Sequence, residues 1–239
     1  MKYLLAVFSI LILISTCAKE EKNTLIKGEI TGLKKGTLYL EKIEDTTLVI
    51  LDSLVLKGTS QFSFSLQLES PEMVYLYLRK TEGDKIADGI EIFAAPGTIE
   101  VKTTLEDFEA DAKVTGSENH YKLEEFNKLK QRYTDKSLEY FQESFDAEKA
   151  NDTQRINEIN KKYETLVRSK YMATVNYALN NKSYEVAPYL ALSEIFDANI
   201  KYLDTIYQSL TPEVKTSTYG NELERYIAER KELESEMVQ

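Results

Sequence analysis

The chemistry open to this chain is narrow, because its reactive side chains are few. Among 239 residues there is one cysteine, Cys17, and one histidine, His120. A Ser-His-Asp triad, a Cys-His dyad or a zinc cage would each have to be built around that one imidazole. His120 follows Ser117-Glu118-Asn119 at the opening of a helical stretch, where it is expected to be an exposed first-turn residue. No phosphate-cradling glycine loop, nucleophile elbow or dinucleotide fingerprint is present. Acidic residues are plentiful, so a glycosidase-type carboxylate pair is a conceivable alternative. Such clefts usually add aromatic platforms, often Trp, and this chain has none. Asp84, Asp88 and Glu91 surround Gly83 with oxygen ligands of the kind Ca2+ takes, but at a spacing that fits no EF-hand loop. A solvated hairpin tip is the expectation there. No catalytic residue, metal or cofactor is assigned.

The unusual excess is tyrosine. Twelve of the 16 lie beyond residue 118. A phenol ring suits a half-buried helix seam, with the ring inside and the hydroxyl wet, and it also suits a recognition surface. The first is the expectation for any single one.

Cys17 has its own context. Lys2 is followed by an apolar run, Leu4-Leu5-Ala6-Val7-Phe8-Ser9-Ile10-Leu11-Ile12-Leu13-Ile14, and then by Ser15-Thr16-Cys17. The run is about eleven residues, too short to cross a hydrocarbon core of ~30 Å as a helix, and it reads as a signal-peptide core. With the cysteine behind it, the segment resembles a bacterial lipobox. That resemblance implies cleavage before Cys17 and acylation of its thiol, leaving residues 1–16 as signal peptide and residues 17–24 as a lipidated tether. Redox or nucleophilic use of the thiol is then excluded. Ala18-Lys19-Glu20-Glu21 resembles the sorting signal of some outer-membrane lipoproteins, with Lys19, Glu20 and Glu21 as its residues. The expected location is the outer membrane, lipid-anchored, facing either the periplasm or the cell surface, with the sorting-signal resemblance favouring the surface.

From residue 25 to about 116 the pattern has period two. In Gln61-Phe62-Ser63-Phe64-Ser65-Leu66-Gln67-Leu68 the apolar residues all fall on one face. The same alternation runs through Ile26/Gly28/Ile30, Leu38/Leu40, Val74/Leu76/Leu78 and Ile99/Val101, with turn residues between. About eight short strands predict an antiparallel β-sandwich over residues 25–116. Parallel pairing is not expected, because no crossover helix is visible. After Gly116 the period becomes 3.6, predicting a helical region over residues 117–239 and an α+β chain. Phe126, Leu129, Tyr133, Tyr140/Phe141 and Phe145 step along one side of the first helix, and Ile156, Ile159, Tyr163, Leu166 and Tyr177 along the inner side of the second. The short break at Asn151-Asp152-Thr153-Gln154 makes them an antiparallel hairpin. Thr211-Pro212-Glu213 opens a short helix, and the last is expected from Asn221 to about Met237.

Ile26-Lys27-Gly28-Glu29-Ile30-Thr31-Gly32-Leu33, Gly36-Thr37-Leu38-Tyr39-Leu40, Asp52-Ser53, Ala95-Pro96-Gly97 and Val114-Thr115-Gly116-Ser117 resemble a family of β-domains from bacterial envelope lipoproteins, domain of unknown function 4369. In that family the β-domain and a helical spacer usually precede a thioredoxin-like thiol-disulfide oxidoreductase domain. The resemblance implies a fold and an address. It carries no catalytic residue to any position here, and with no Cys-x-x-Cys before Gln239 the oxidoreductase activity is not expected.

The net charge of −10 argues against nucleic acid, whose binding needs a basic surface to release the counterions condensed on its phosphates. The expectation is a non-enzymatic envelope lipoprotein, held to the membrane by its lipid, that binds a protein or glycan partner, with the ligand between sandwich and helices. Two alternatives are an accessory or relic of a thiol-redox system and a carboxylate hydrolase.

Overall fold

In a computed structural model, residues 22–44, 47–79 and 89–236 are described. Cys17, Lys19, Glu20, Glu21, Asp84 and Asp88 lie outside them. Eight strands are followed by six helices: β1 (Thr24–Thr31), β2 (Lys35–Glu44), β3 (Thr47–Lys57), β4 (Gln61–Leu66), β5 (Glu72–Arg79), β6 (Ile90–Ala94), β7 (Gly97–Thr104) and β8 (Lys113–Thr115), then α1 (Glu118–Lys149), α2 (Thr153–Asn180), α3 (Val186–Glu194), α4 (Ile200–Ser209), α5 (Pro212–Lys215) and α6 (Thr218–Glu236). The chain is therefore α+β, as its two periodicities require.

The strands form two four-stranded sheets, ordered β4-β1-β7-β8 and β3-β2-β5-β6. Their inward side chains, among them Ile26, Leu40, Phe64, Leu76, Ile92 and Ile99, make one shared core, as in a sandwich. The expectation of wholly antiparallel strands is corrected at its centre. β1 and β7 pair in parallel from Thr24↔Gly97 to Thr31↔Thr104. Among the described residues no helix carries this crossover; the chain crosses to the opposite sheet as β2 and β3, returns beside β1 as β4, and crosses again as β5 and β6 before reaching β7. Gly28 sits in this pair because nothing larger fits. A Cβ there would lie 1.9 Å from the Val101 carbonyl oxygen and 2.8 Å from the Phe62 ring.

Around Met73 and Phe93, β5 and β6 bury both faces. Val74, Leu76 and Ile92 point into the sandwich, whereas Met73 and Phe93 point outward into a second core with Leu123, Phe126, Val186 and Leu190 of the helices. A third core, built from Ala187, Ala191, Leu203, Ile206 and Leu223, lies among the helices alone. Helix starts carry the caps their residue types suggest. Asp152 accepts from the Arg155 N–H at 2.9 Å, and Thr211 precedes Pro212 at the first position of α5. The last helix begins three residues before the expected Asn221, because Ser217 caps it by accepting from the Gly220 N–H at 3.2 Å.

Candidate functional site

The first helix is attached to the sandwich through two side chains at its start. Ser117 Oγ accepts from the His120 N–H at 3.2 Å as the helix cap and donates to the Phe93 carbonyl at 2.6 Å. His120 Nδ1 accepts from the Phe93 N–H at 3.3 Å. β6 is an edge strand, so these two groups satisfy an edge that would otherwise invite pairing. His120 is thus not the exposed first-turn residue its position suggests: it is 7% exposed, because the helix it opens is pressed against the sheet. Burial lowers its pKa, and Glu124, whose carboxylate is 3.6 Å from Nε2, offsets part of that. A lowered histidine pKa makes the unfolded chain the better proton acceptor as the pH falls through about 6.5, so this stability is present above that value and lost below it. His120→Gln is expected to flatten the acid-side slope of a urea-midpoint titration, and the sole imidazole resonance in NMR should titrate below its ordinary pH.

The junction between sandwich and helices opens into a cavity where two strands part. β2 and β5 pair only from Thr37↔Arg79 to Glu41↔Tyr75; beyond this β2 continues with β3 alone. The Met73 N–H donates instead to the Tyr219 hydroxyl at 3.0 Å. The gap is a cavity of about 920 Å³. Lys42 and Glu44 of β2 and Glu72 and Tyr75 of β5 line one side; Tyr189 of α3 and Tyr219 and Arg225 of α6 line the other. Phe93 meets Tyr189 and Tyr219 edge-on beneath it, and the two tyrosine rings are tilted against each other, with ring centroids 5.2–5.9 Å apart throughout.

The open face of the same sheet continues the lining upward. Register places Glu41, Tyr75 and Glu91 directly opposite one another across β2, β5 and β6, with Tyr39 and Tyr77 paired two residues on. Tyr75 and Tyr77 stack with centroids 6.3 Å apart, and the Arg79 guanidinium lies 5.0 Å over Tyr39. Gly89 leaves room for the Tyr77 ring, which a Cβ would meet at 2.3 Å.

Burial dominates the electrostatics. It raises the pKa of Glu72 against the pull of Lys42, with Glu44 and Glu69 raising it further. Burial likewise raises Glu41 against Arg79, and Glu91 against Lys130. The phenols of Tyr189 and Tyr219 are pushed far above their ordinary range by the same cause. Lys42 stands 2.9 Å from Glu44 and 3.9 Å from Glu72, so one ammonium serves two carboxylates. The site thus presents rings, neutral hydroxyls and carboxylates whose charge burial disfavours. Among the described residues no group of three or more His, Cys, Asp or Glu is placed to hold a metal ion.

Residues 24–123 match the family model described as Domain of unknown function (DUF4369). The β-region is a DUF4369 domain. No curated protein and no solved structure matches the chain. The matched span runs past β8 through the first turn of α1, so the DUF4369 domain includes Ser117 and His120, the two residues that fasten the helix to β6. Among the described residues no helix is long and apolar enough to cross a membrane.

The sequence placed Tyr39, Glu41, Tyr75 and Tyr77 on outward faces through their alternation. It did not single out Lys42, Glu72, Tyr189 or Tyr219, which meet only because β2 and β5 part and α6 fills the gap. The tyrosine excess was the available signal. Tyr177, which donates to the Lys122 carbonyl at 2.6 Å, and Tyr171, which donates to Asp197 at 2.8 Å, are seam residues of the expected kind.

Proposed function

We propose that this chain is a lipid-anchored envelope module that holds a polyhydroxylated ligand, a glycan, in the cavity between its DUF4369 domain and its helices, without reacting with it. The observation supporting this reading most directly is the lining of the cavity. Tyrosine rings offer flat apolar faces for sugar C–H groups, while carboxylates and phenols beside them accept and donate hydrogen bonds. Sites of this kind favour the boundary between two packed units. The carboxylates flanking Lys42 are engaged with one cation, an arrangement that suits orientation of a ligand better than the paired acid and base of a hydrolase.

The experiment is calorimetric titration of the full chain with envelope oligosaccharides, using Glu72→Gln and Arg225→Ala together. Glu72→Gln keeps the shape of the side chain and removes a charge that burial already disfavours, so the fold should tolerate it at neutral pH. Binding is expected to weaken about tenfold or more. Undiminished binding, or none by the unaltered chain, would dismiss the proposal. Ligand cleavage that Glu72→Gln abolishes would install the hydrolase reading in its place.

A further inference from the structure

The outer half of the α1–α2 hairpin projects from the rest of the molecule as a two-helix arm. None of the three apolar cores contains a residue from 131 to 169. The contacts that hold the hairpin down sit at its base: Leu123 and Phe126 on α1, Val175 and Ala178 on α2, and the ion pairs of Lys130 and Lys170 with Glu194. Along the arm only Ala147 and Ile159 are buried. Here the sequence expectation needs correction. Phe141 and Phe145 do not lie in the seam, nor does Tyr163 of α2; they are 72%, 46% and 48% exposed, and Leu138 is 61% exposed. Ser137, Tyr140 and Ser144 are half-buried beside them, and Leu138, Phe141 and Phe145 form an exposed apolar stripe with three- and four-residue steps.

Two features of this stripe say what covers it. Phe141 stands beside a groove of about 420 Å³ that it lines together with Leu138, Ile159 and Tyr163. Projecting ring and receiving hollow therefore share one face, as a two-fold interface demands, since each copy must supply both halves of the contact. The charge is the second feature. Residues 131–169 carry seven Lys and Arg against eight Asp and Glu in a chain of net charge −10, so the arm is the long surface that a second copy approaches with little net repulsion. None of the residues that line the groove is charged, so a second copy seated there buries no ionised group of this chain.

We propose that two copies of this chain associate through their arms, the α1–α2 hairpins packing into a four-helix bundle centred on Leu138 and Phe141. A two-helix arm gains most of its stability from packing an apolar face, and the bundle supplies the missing half. The test is sedimentation velocity of the full chain in a density-matched non-ionic detergent, with far-UV circular dichroism as the check on folding. The unaltered chain should be a dimer, and L138E/F141E should weaken association about a hundredfold or more, keep the far-UV helical signal of a folded chain at about 25 °C, and lower the melting midpoint as the stabilisation by the second copy is lost. Val55→Glu, on the exposed edge strand β3, is the control and should leave the dimer intact. A monomer at every concentration up to about 100 µM, a dimer that survives L138E/F141E, or one dissolved by Val55→Glu would each overturn the proposal.

Discussion

Phe93→Ala should cost about 3–5 kcal/mol and separate the unfolding of the helices from that of the sandwich. Phe93 is fully buried, and its ring lies on the helix side of β6, not in the sandwich core. It meets Tyr189 at 5.4 Å and Tyr219 at 5.9 Å, both edge-on, so its removal takes two aromatic contacts as well as the transfer energy of the ring. Its backbone N–H and carbonyl stay engaged with His120 and Ser117, which keeps β6 in place while the cavity opens behind it. A loss of this size is a large share of the 5–15 kcal/mol that holds a domain. Urea unfolding followed by tyrosine near-UV dichroism and by far-UV dichroism should coincide in the unaltered chain. In Phe93→Ala the tyrosine signal should move first. Coincident transitions at an unchanged midpoint would show that the helices are held by other means.

Cys17→Ala should release the protein from membranes altogether. This follows from the proposed anchor and from the arithmetic of acyl chains. Each buried CH2 contributes about 0.8 kcal/mol, one chain binds only reversibly, and the two or three chains that the lipobox resemblance implies hold without measurable exchange. Among the described residues no helix is long and apolar enough to cross a membrane, and the chain's net charge of −10 repels anionic headgroups. Fractionated cells grown with a labelled palmitate analogue check it. The unaltered protein should carry label in the membrane fraction, and Cys17→Ala should carry none and appear in the soluble fraction. Label that persists without Cys17 would remove both the address and the reason for regarding the thiol as spent.

The strand alternation was legible because a sandwich strand has one dry face, and a side-chain period of two exposes that requirement directly. Phe62, Phe64, Leu66 and Leu68 could only be placed on one side, and they are buried together. Which strand lies beside which was not legible. Ile26 and Ile99 look like members of any pair, and their parallel neighbourhood depends on the chain returning through the opposite sheet. His120 misled for a related reason. A histidine one turn into a capped helix is exposed unless something covers the helix start, and only the docking of α1 on β6 does so. Phe141 and Phe145 misled because two stripes one residue apart fit the same helical period, and the choice between them belongs to α2.

By itself, then, the amino-acid order determined the two fold classes, the break between them near Gly116, the apolar faces and the scarcity of reactive groups. These depend on local periodicity and on counts, which need no partner to be read. Tertiary structure alone decided the parallel centre, the latch at Phe93, the meeting of Glu72, Tyr75, Tyr189 and Tyr219 around one cavity, and the bare stripe on the arm. Each brings together residues far apart in the chain, and proximity of that kind is a property of packing, which no single stretch of sequence contains.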